Sequence, residues 1–403
     1  MRAHMRSSSS WRVKSALGEP PASSPPSVVR SFGVALEPIH LADFLIGDPL
    51  GSGATSRVFA ATHKSTNRQV AIKMLEPSHR DSAELRTRMQ REAIMLSGVE
   101  SPHVGRILGF GYEDEQPFLC LERLHGETLA DLLKRNGRIE IDKLVTSIEQ
   151  LLVGVRDCHH GGVIHRDIKP ANIFLDESEG GHTDVKLIDF GVARLKEIAQ
   201  AGRSLTSTHH LLGSMGYMAP EQFQNAKRVG PQADVYAIGV VIFRCVTGRL
   251  PFVSKSFETL IKMKLEKPSP RMSTMPGVGK NDLLDAFVQT ALQPNASSRF
   301  DDGKQMLEAW WRVAADLDRD SLFLDGVDVV FEFEDDIEVS TDVVAGGAVM
   351  MGKTMAEIES TTVSRHRGNT GSGEQASVGS GATEGDESDD TDATGRNGTS
   401  GGT

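Results

Sequence analysis

Cysteine is scarce. Cys120, Cys158 and Cys245 are the three in a chain of 403 residues. They are odd in number, far apart and without a C-x-x-C pair, which excludes a disulfide scaffold and a cysteine zinc site. They read as small buried hydrophobes in a reducing cytosol. Long apolar runs are lacking as well. A membrane helix needs about 18 or more apolar residues in a row, and "VVAGGAVMM" at 343–351 is half that length and carries two glycines. No membrane partner is expected. The N-terminus has basic residues but no apolar stretch behind them. Ser7–Ser10 and the run "EPPASSPPS" follow instead, which excludes a secretory signal. A disordered leader over 1–38 is preferred to an organellar transit peptide, although the Arg- and Ser-rich, acid-poor composition suits both.

Positive charge is also short where nucleic acid would need it. The formal net charge is −11, yet from Asp318 onward there are 19 acids against 5 bases, while residues 1–317 hold 36 acids and 39 bases. The acidity belongs to a tail. The near-neutral body has no basic signature, so nucleic acid is not an expected partner. No internal repeat is present.

What the chain does have is a folded body over 40–315, where apolar periodic segments alternate with short turns. The remaining 316–403 runs from an acidic stretch, "VDVVFEFEDDIEVS", into Gly, Ser, Thr, Asp and Glu, and reads as mostly disordered. Inside the body, "DPLGSGATSRVFAATH", "RQVAIKML" and "PFLCLERL" read as strands. "SAELRTRMQREAIML" reads as a helix with apolar residues at Leu85, Met89, Ile94 and Leu96. After Leu129 the pattern is mostly helical. Strands first and helices later predict an α+β fold with a sheet-rich lobe and a helical lobe.

Several short motifs carry chemistry that fits one reaction. "GSGATS", Gly51 to Ser56, is a glycine-rich turn whose backbone N–H groups can approach phosphate oxygens. A lone turn of this kind is weak evidence, and its third glycine position holds Ser56. Lys73 ends "VAIK" on the following strand, within reach of nucleotide phosphates, and Glu92 on the next helix is its best placed carboxylate partner. Alone, each is an ordinary surface residue. The stretch "HRDIKPAN", His165 to Asn172, adds a carboxylate to take a hydroxyl proton (Asp167), a cation to steady phosphoryl charge (Lys169) and an amide oxygen for a metal (Asn172). Asp189 opens "DFG" at the end of the strand-like "VKLI" and is a second oxygen ligand. Phosphoryl transfer asks mainly for positioning and charge neutralisation, which this set supplies.

Together with "APE" (Ala219–Glu221), "DVYAIG" (Asp234–Gly239) and "SSRF" around Arg299, these motifs resemble the eukaryotic-type serine/threonine protein kinases found in bacteria. The resemblance covers about 44–314. It implies a bilobal α+β fold with a small β-rich N-lobe and a larger helical C-lobe. It implies ATP and Mg²⁺ as cosubstrate and metal, and protein substrates. The catalytic set would be Asp167 as base, Lys169, Lys73 and Glu92, with Asn172 and Asp189 holding the metal. The phosphates would lie under Gly51, Ser52, Gly53 and Ser56. The adenine would lie between Leu50, Val58 and Ala71 on one side and the hinge backbone at Glu122 and Leu124, with Leu121 guarding the pocket behind. Glu221 would pair with Arg299. Asp234 would hold the catalytic-loop backbone, or else be an ordinary helix N-cap.

The resemblance also suggests a switch. Arg166 precedes the catalytic Asp, and kinases with that arginine are often activated by phosphate on the segment between DFG and APE. Thr206 and Thr208, around Ser207, resemble an autophosphorylated pair. Ser214 and Lys169 favour Ser/Thr over Tyr as acceptor. His209 and His210 flank the loop rather than bind metal. Ser340 and Thr341 in the acidic tail are weaker candidates for phosphorylation. A homodimer supporting trans-autophosphorylation and a cytoplasmic location complete the expectation. The competing readings are a scaffold that binds nucleotide without turnover and a small-molecule kinase of the same fold. The first needs loss of Lys73, Asp167, Asn172 or Asp189, and none is lost. The second lacks an "APE", the Arg299 pair and a long activation segment.

Overall fold

Two side-chain periods divide the molecule. The structure, a computed structural model, describes residues 38–53, 55–177, 181–190, 215–224, 229–254, 256–317 and 322–324. The period-2 segments form β1 (Pro38–Ile39), β2 (Phe44–Ser52), β3 (Ser56–His63), β4 (Gln69–Leu75), β5 (Ile107–Glu113) and β6 (Gln116–Glu122). They make one sheet in the order β1-β5-β6-β4-β3-β2. All neighbours are antiparallel except β1 and β5.

Alternation along a strand sends successive side chains to opposite faces. On β4, Val70 and Ile72 join Phe44, Ala61, Phe118 and Cys120 in a core on one face. Ala71, Lys73 and Leu75 therefore share the other. Leu75 there packs with Leu119 against α1 (Ala83–Leu96). Residues directly opposite in register lie on one face. Val58 and Leu119 flank Lys73, and Ala60 and Leu121 flank Ala71. The face predicted to hold a nucleotide is thus fixed by register alone.

Ser82 caps α1 by accepting the N–H of Leu85. The helix buries Leu85, Met89, Ala93 and Leu96, and Glu92 shares that stripe. At about 100° per residue, Ile94 turns to the opposite side and is half-buried. It is not part of the inward face expected for it.

The second lobe is built from α2 (Leu129–Asn136), α3 (Ile141–His160), α4 (Pro220–Gln224), α5 (Gln232–Thr247), α6 (Phe257–Glu266), α7 (Asp282–Ala291) and α8 (Gly303–Asp316). A Thr128–Asp131 capping box starts α2, and Gly137 at φ 75° ends it. Every residue of α5 from Ala233 to Thr247 is buried, as befits a central helix apolar almost all round. A Cβ at Gly239 would sit 2.8 Å from Ala291 Cβ, so α5 approaches α7 only as closely as glycine permits. The strands-then-helices expectation needs one amendment. A small antiparallel sheet of β7 (Gly126–Thr128), β8 (Ile173–Glu177) and β9 (Thr183–Leu187) lies within the helical half. Among the segment 316–403, Leu322–Leu324 are described beyond α8. Leu322 is buried in the main core, Phe323 bridges to Val278, and Arg138 stacks on the Phe323 ring at 4.2 Å.

The tandem tryptophans of α8 give a local test of this packing. Trp310 is fully buried beside Phe287, whereas Trp311 is half exposed. Trp310→Ala is expected to lower unfolding stability by about 4 kcal/mol, and Trp311→Ala by less than about 0.5 kcal/mol. Urea denaturation of the two variants checks the contrast.

Candidate active site

The β8–β9 hairpin explains why residues far apart in sequence meet. The turn Pro170–Asn172 runs directly into β8, and Asp189 lies just past β9. Ile173 pairs with Leu187, and the Ile188 N–H donates to the Asn172 carbonyl at 2.9 Å. The hairpin closes its two ends together, with Asn172 on one and Asp189 on the other. The Asn172 amide nitrogen donates to the Asp167 carbonyl at 2.7 Å and to Asp167 Oδ2 at 3.0 Å. Its amide oxygen is thereby left without a donor among the described residues. Lys169 Nζ stands 3.9 Å from Asp167 Oδ2.

Lys73 reaches this cluster from β4. Its ammonium donates to Glu92 Oε1 at 2.9 Å and to Asp189 Oδ1 at 2.8 Å. Burial works to lower the Lys73 pKa, but the Asp189 and Glu92 charges and hydrogen bonds outweigh it and raise it. Asp189 is held below the usual carboxylate range, first by the Lys73 charge. Burial raises Glu92, with Lys73 opposing. Lys73 therefore stays an ammonium, joining the sheet, α1 and the hairpin in one ionic network.

Two residues in this region carry unusual backbone. Arg166 has φ 66° and Asp189 φ 55°. Left-handed non-glycine residues cost on the order of 1–3 kcal/mol and persist where surroundings hold them. Asp234 accepts the N–H groups of His165 and Arg166, each at 2.8 Å. Gln222 Nε2 donates to the Arg166 carbonyl at 2.9 Å. Asp234 lies inside the first turn of α5, where Pro231 is the cap, so the N-cap alternative is set aside. His159 Nε2 adds a 2.9 Å bond to Asp234, and its Nδ1 accepts the Gly303 N–H at 3.0 Å. Burial tends to raise the Asp234 pKa, but the hydrogen bond and charge of His159 lead the groups that lower it. His165, fully buried, stacks on Phe190 with centroids 4.2 Å apart, and burial lowers its pKa despite nearby acids. Its Nδ1 faces the Asp167 N–H and its Nε2 the Ile188 carbonyl, so the neutral Nε2–H tautomer satisfies both.

Of the remaining expected residues, Val58, Ala71 and Leu121 share the Lys73 face by register. A Cβ at Gly51 would meet nothing within 4 Å, and one at Gly53 only the Ser56 carbonyl at 3.7 Å. The chain's own packing does not require glycine at either position. Gly53 spends its N–H on Ser56 O at 2.7 Å. Leu50 and Ser52 are exposed, Ser56 and Val58 half-buried, and Ala71 buried. Leu121 packs against the α1 core. The Glu122 carboxylate accepts from the Arg106 N–H and from Lys186, and its own N–H donates to the Arg106 carbonyl at 3.0 Å. Leu124 follows in an irregular, half-buried stretch. Glu221 and Arg299 form a two-pronged pair at 2.7 and 2.9 Å. Thr206, Ser207, Thr208, His209, His210, Ser214, Ser340 and Thr341 lie outside the described residues. Cys120, Cys158 and Cys245 are free and buried. Burial pushes the Cys120 thiol up to about 11 and raises Cys158 further.

Residues 44–311 match the protein kinase domain. This chain belongs to the protein kinase family. The kinase domain is similar to serine/threonine-protein kinase pkn2 of Myxococcus xanthus, 34% identical over 273 residues, which are 66% of this chain and 32% of that protein. It is similar to PknD of Mycobacterium tuberculosis, 34% identical over 251 residues, 62% of this chain and 36% of the relative. PknL of the same species is 31% identical over 263 residues, 65% and 63% of the two chains. The chain spans about a third of the length of the first of these relatives. The two-lobed α+β expectation holds. Sequence reasoning missed Gln222 and His159, which bond to the Arg166 carbonyl and to Asp234, and the buried Lys264. The first two left no local signal, because their partners lie 56 and 75 residues away. Lys264 left one: it stands on the buried stripe of α6, four residues after Leu260.

Proposed function

We propose that this chain is an ATP-dependent serine/threonine protein kinase. One observation carries the reading: Lys73, Asp189, Asn172 and Asp167 converge in a single hydrogen-bonded chain although they come from β4, the two ends of the β8–β9 hairpin and the loop before it. Asp167 is the base that takes the acceptor hydroxyl proton, and Lys169 beside it offsets charge on the transferring group. Lys73, oriented by Glu92, contacts the nucleotide phosphates. The adenine packs between Leu50, Val58, Ala71 and the hinge backbone of Glu122 and Leu124. The open backbone at Gly51 and Gly53, with Ser52 and Ser56, covers the phosphates.

A hard oxygen pair remains for Mg²⁺: the Asn172 amide oxygen, turned free by the bonds its nitrogen makes, and the half-exposed Asp189 carboxylate. Among the described residues no three His, Cys, Asp or Glu side chains gather to hold a metal. This suits an ion that arrives with nucleotide phosphate as its other ligands. When bound, Mg²⁺ supplies charge neutralisation at the phosphates.

The domain runs over 40–315, the bounds expected from sequence, extended by Pro38–Ile39 in the sheet and by Leu322–Leu324 against the helical core. Its acceptors are proteins, with neither nucleic acid nor membrane as partner. Among the described residues no helix is long and apolar enough to cross a membrane. The chain works in the cytoplasm, and a homodimer would allow one copy to phosphorylate the other. Thr206 and Thr208 are the proposed sites of activating phosphate. Arg166 Nε, buried and without a hydrogen-bond partner among the described residues, supports a basic group awaiting an anion. The test is incubation of purified protein with Mg²⁺ and γ-labelled ATP, alone, with casein and with an aminoglycoside. Label is expected on Ser or Thr of casein and on Thr206 or Thr208, mapped by mass spectrometry. Label on the aminoglycoside alone would move the assignment to a small-molecule kinase.

A further inference from the structure

The buried lysine of α6 has no place in the machinery described above. Lys264 is 1% exposed. It forms no ion pair among the described residues. Its ammonium donates to the carbonyls of Gly216 at 2.5 Å and Met218 at 2.8 Å, and lies 5.0 Å from the centre of the Tyr236 ring. Two protons go to carbonyls and the charge faces an aromatic π surface. A leucine would leave both carbonyls bare, and the cost of burying a cation is met only by these partners.

Those carbonyls belong to a segment with a direct line to the base. Ala219, the next residue after Met218, donates its N–H to Gln222 Oε1 at 2.9 Å. The same Gln222 amide donates through Nε2 to the carbonyl of Arg166. Arg166 is the strained residue immediately before Asp167, held from its N–H side by Asp234. The sequence of contacts runs Lys264, Gly216–Met218, Ala219, Gln222, Arg166, Asp167. Lys264 thus grips the far end of a backbone bridge whose near end is the carbonyl of the residue before the base.

We propose that Lys264 is a positioning residue for the acceptor half of the reaction, clamping segment 215–219 against α6 through the Gly216 and Met218 carbonyls. This rests on the protein kinase reading above. The charged groups facing it are few. Arg299 approaches from the turn before α8, Glu221 from α4 in its two-pronged pair with Arg299, and Tyr236 from α5. Tyr217 lies in the clamped segment itself. On α6, Lys262 and Glu266 are exposed. Burial first, then the Arg299 charge, bring the Lys264 amine down from 10.5 to about 7.

The sign follows from linkage. Below about pH 7 the amine is charged in both folded and unfolded chains, and the clamp makes charge-assisted hydrogen bonds, roughly twice as strong as neutral ones. Between about 7 and 10.5 the folded chain holds it neutral while the unfolded chain is protonated. Stability contributed at this residue therefore rises with pH, while the grip on the carbonyls weakens. Activity toward acceptor and stability move in opposite directions, which a merely structural lysine would not produce.

The experiment compares wild type, Lys264→Met and Lys264→Arg, using casein as acceptor and ATP hydrolysis without acceptor as the internal control. Between about pH 6 and pH 8 the wild-type KM for casein is expected to rise about fivefold, relative to Lys264→Met at the same pH. Lys264→Met should be weak at both ends. Lys264→Arg, which stays charged, should keep the low-pH KM throughout. Acceptor-free hydrolysis should change less than about twofold across the three. Urea unfolding should show wild type gaining on Lys264→Met as pH rises. Parallel KM profiles for wild type and Lys264→Met, or equal loss of hydrolysis and casein transfer, would overturn the proposal. If Lys264→Met does not fold, the Lys264→Arg profile decides: a wild-type pH dependence there refutes it. Wild type without casein activity at any pH would refute the kinase reading itself, a distinct result.

Discussion

Asp167→Asn is expected to cut phosphoryl transfer to casein by about 10³-fold, within the usual range for losing a general base, and to leave nucleotide affinity within about twofold. The amide is nearly the same size as the carboxylate. Its oxygen can still accept from the Asn172 nitrogen, which reaches Asp167 Oδ2 at 3.0 Å. The second Asn172 bond goes to the Asp167 main-chain carbonyl and is untouched. The His165, Arg166 and Gln222 supports of the loop also act on backbone. The variant therefore keeps the architecture and loses the proposed proton acceptor. Lys73, Glu92 and the hinge are unaffected, so nucleotide binding persists. Steady-state transfer and equilibrium titration with ATP separate the two quantities. Parallel loss of binding would mean that Asp167 organises the nucleotide site, and transfer above about a tenth of wild type would remove it as the base.

How much of this was legible in the sequence depends on the range of the interaction. The caps at Ser82 and Thr128 are local signals, each bonding three residues on, but they were not singled out in the sequence. The shared face of Val58, Ala71, Lys73 and Leu121 follows from strand alternation once register is known. Glu92 as the Lys73 partner was readable only through its motif. As a helix glutamate it looks solvated, and it is buried because it stands on the Leu85–Met89–Leu96 stripe. Ile94, apolar and in the same helix, was misplaced because composition without angle does not tell the two faces apart. β8 went unnoticed because "IFLDE" is short and lies in a predominantly helical half. It is nevertheless the strand that delivers Asn172 to Asp189. Asp234 as the holder of the strained Arg166 backbone rested on family resemblance. Its physical reason, two N–H groups with a carboxylate between them, appears only when α5 is placed under the loop.

Asp189→Asn carries the other large effect, and a metal titration shows which of its two jobs matters. The carboxylate pairs with Lys73 and is also the proposed metal ligand opposite Asn172. An amide keeps one oxygen but not the charge. Lys73 retains Glu92 at 2.9 Å, so its ammonium remains in place for phosphate. Binding of ATP in excess EDTA is therefore expected to match wild type within about threefold, whereas the tightening that Mg²⁺ gives wild type should disappear. Transfer should fall by about 10³-fold, or about 4 kcal/mol, the scale of a lost Lewis-acid contribution. Lys73→Met provides the contrast, since it removes the proposed phosphate contact and should weaken binding with and without Mg²⁺. If Asp189→Asn instead loses metal-free binding to the same degree as Lys73→Met, then Asp189 acts by holding Lys73. The oxygen pair of Asn172 and Asp189 would then be part of the loop's internal bonding and not a metal site.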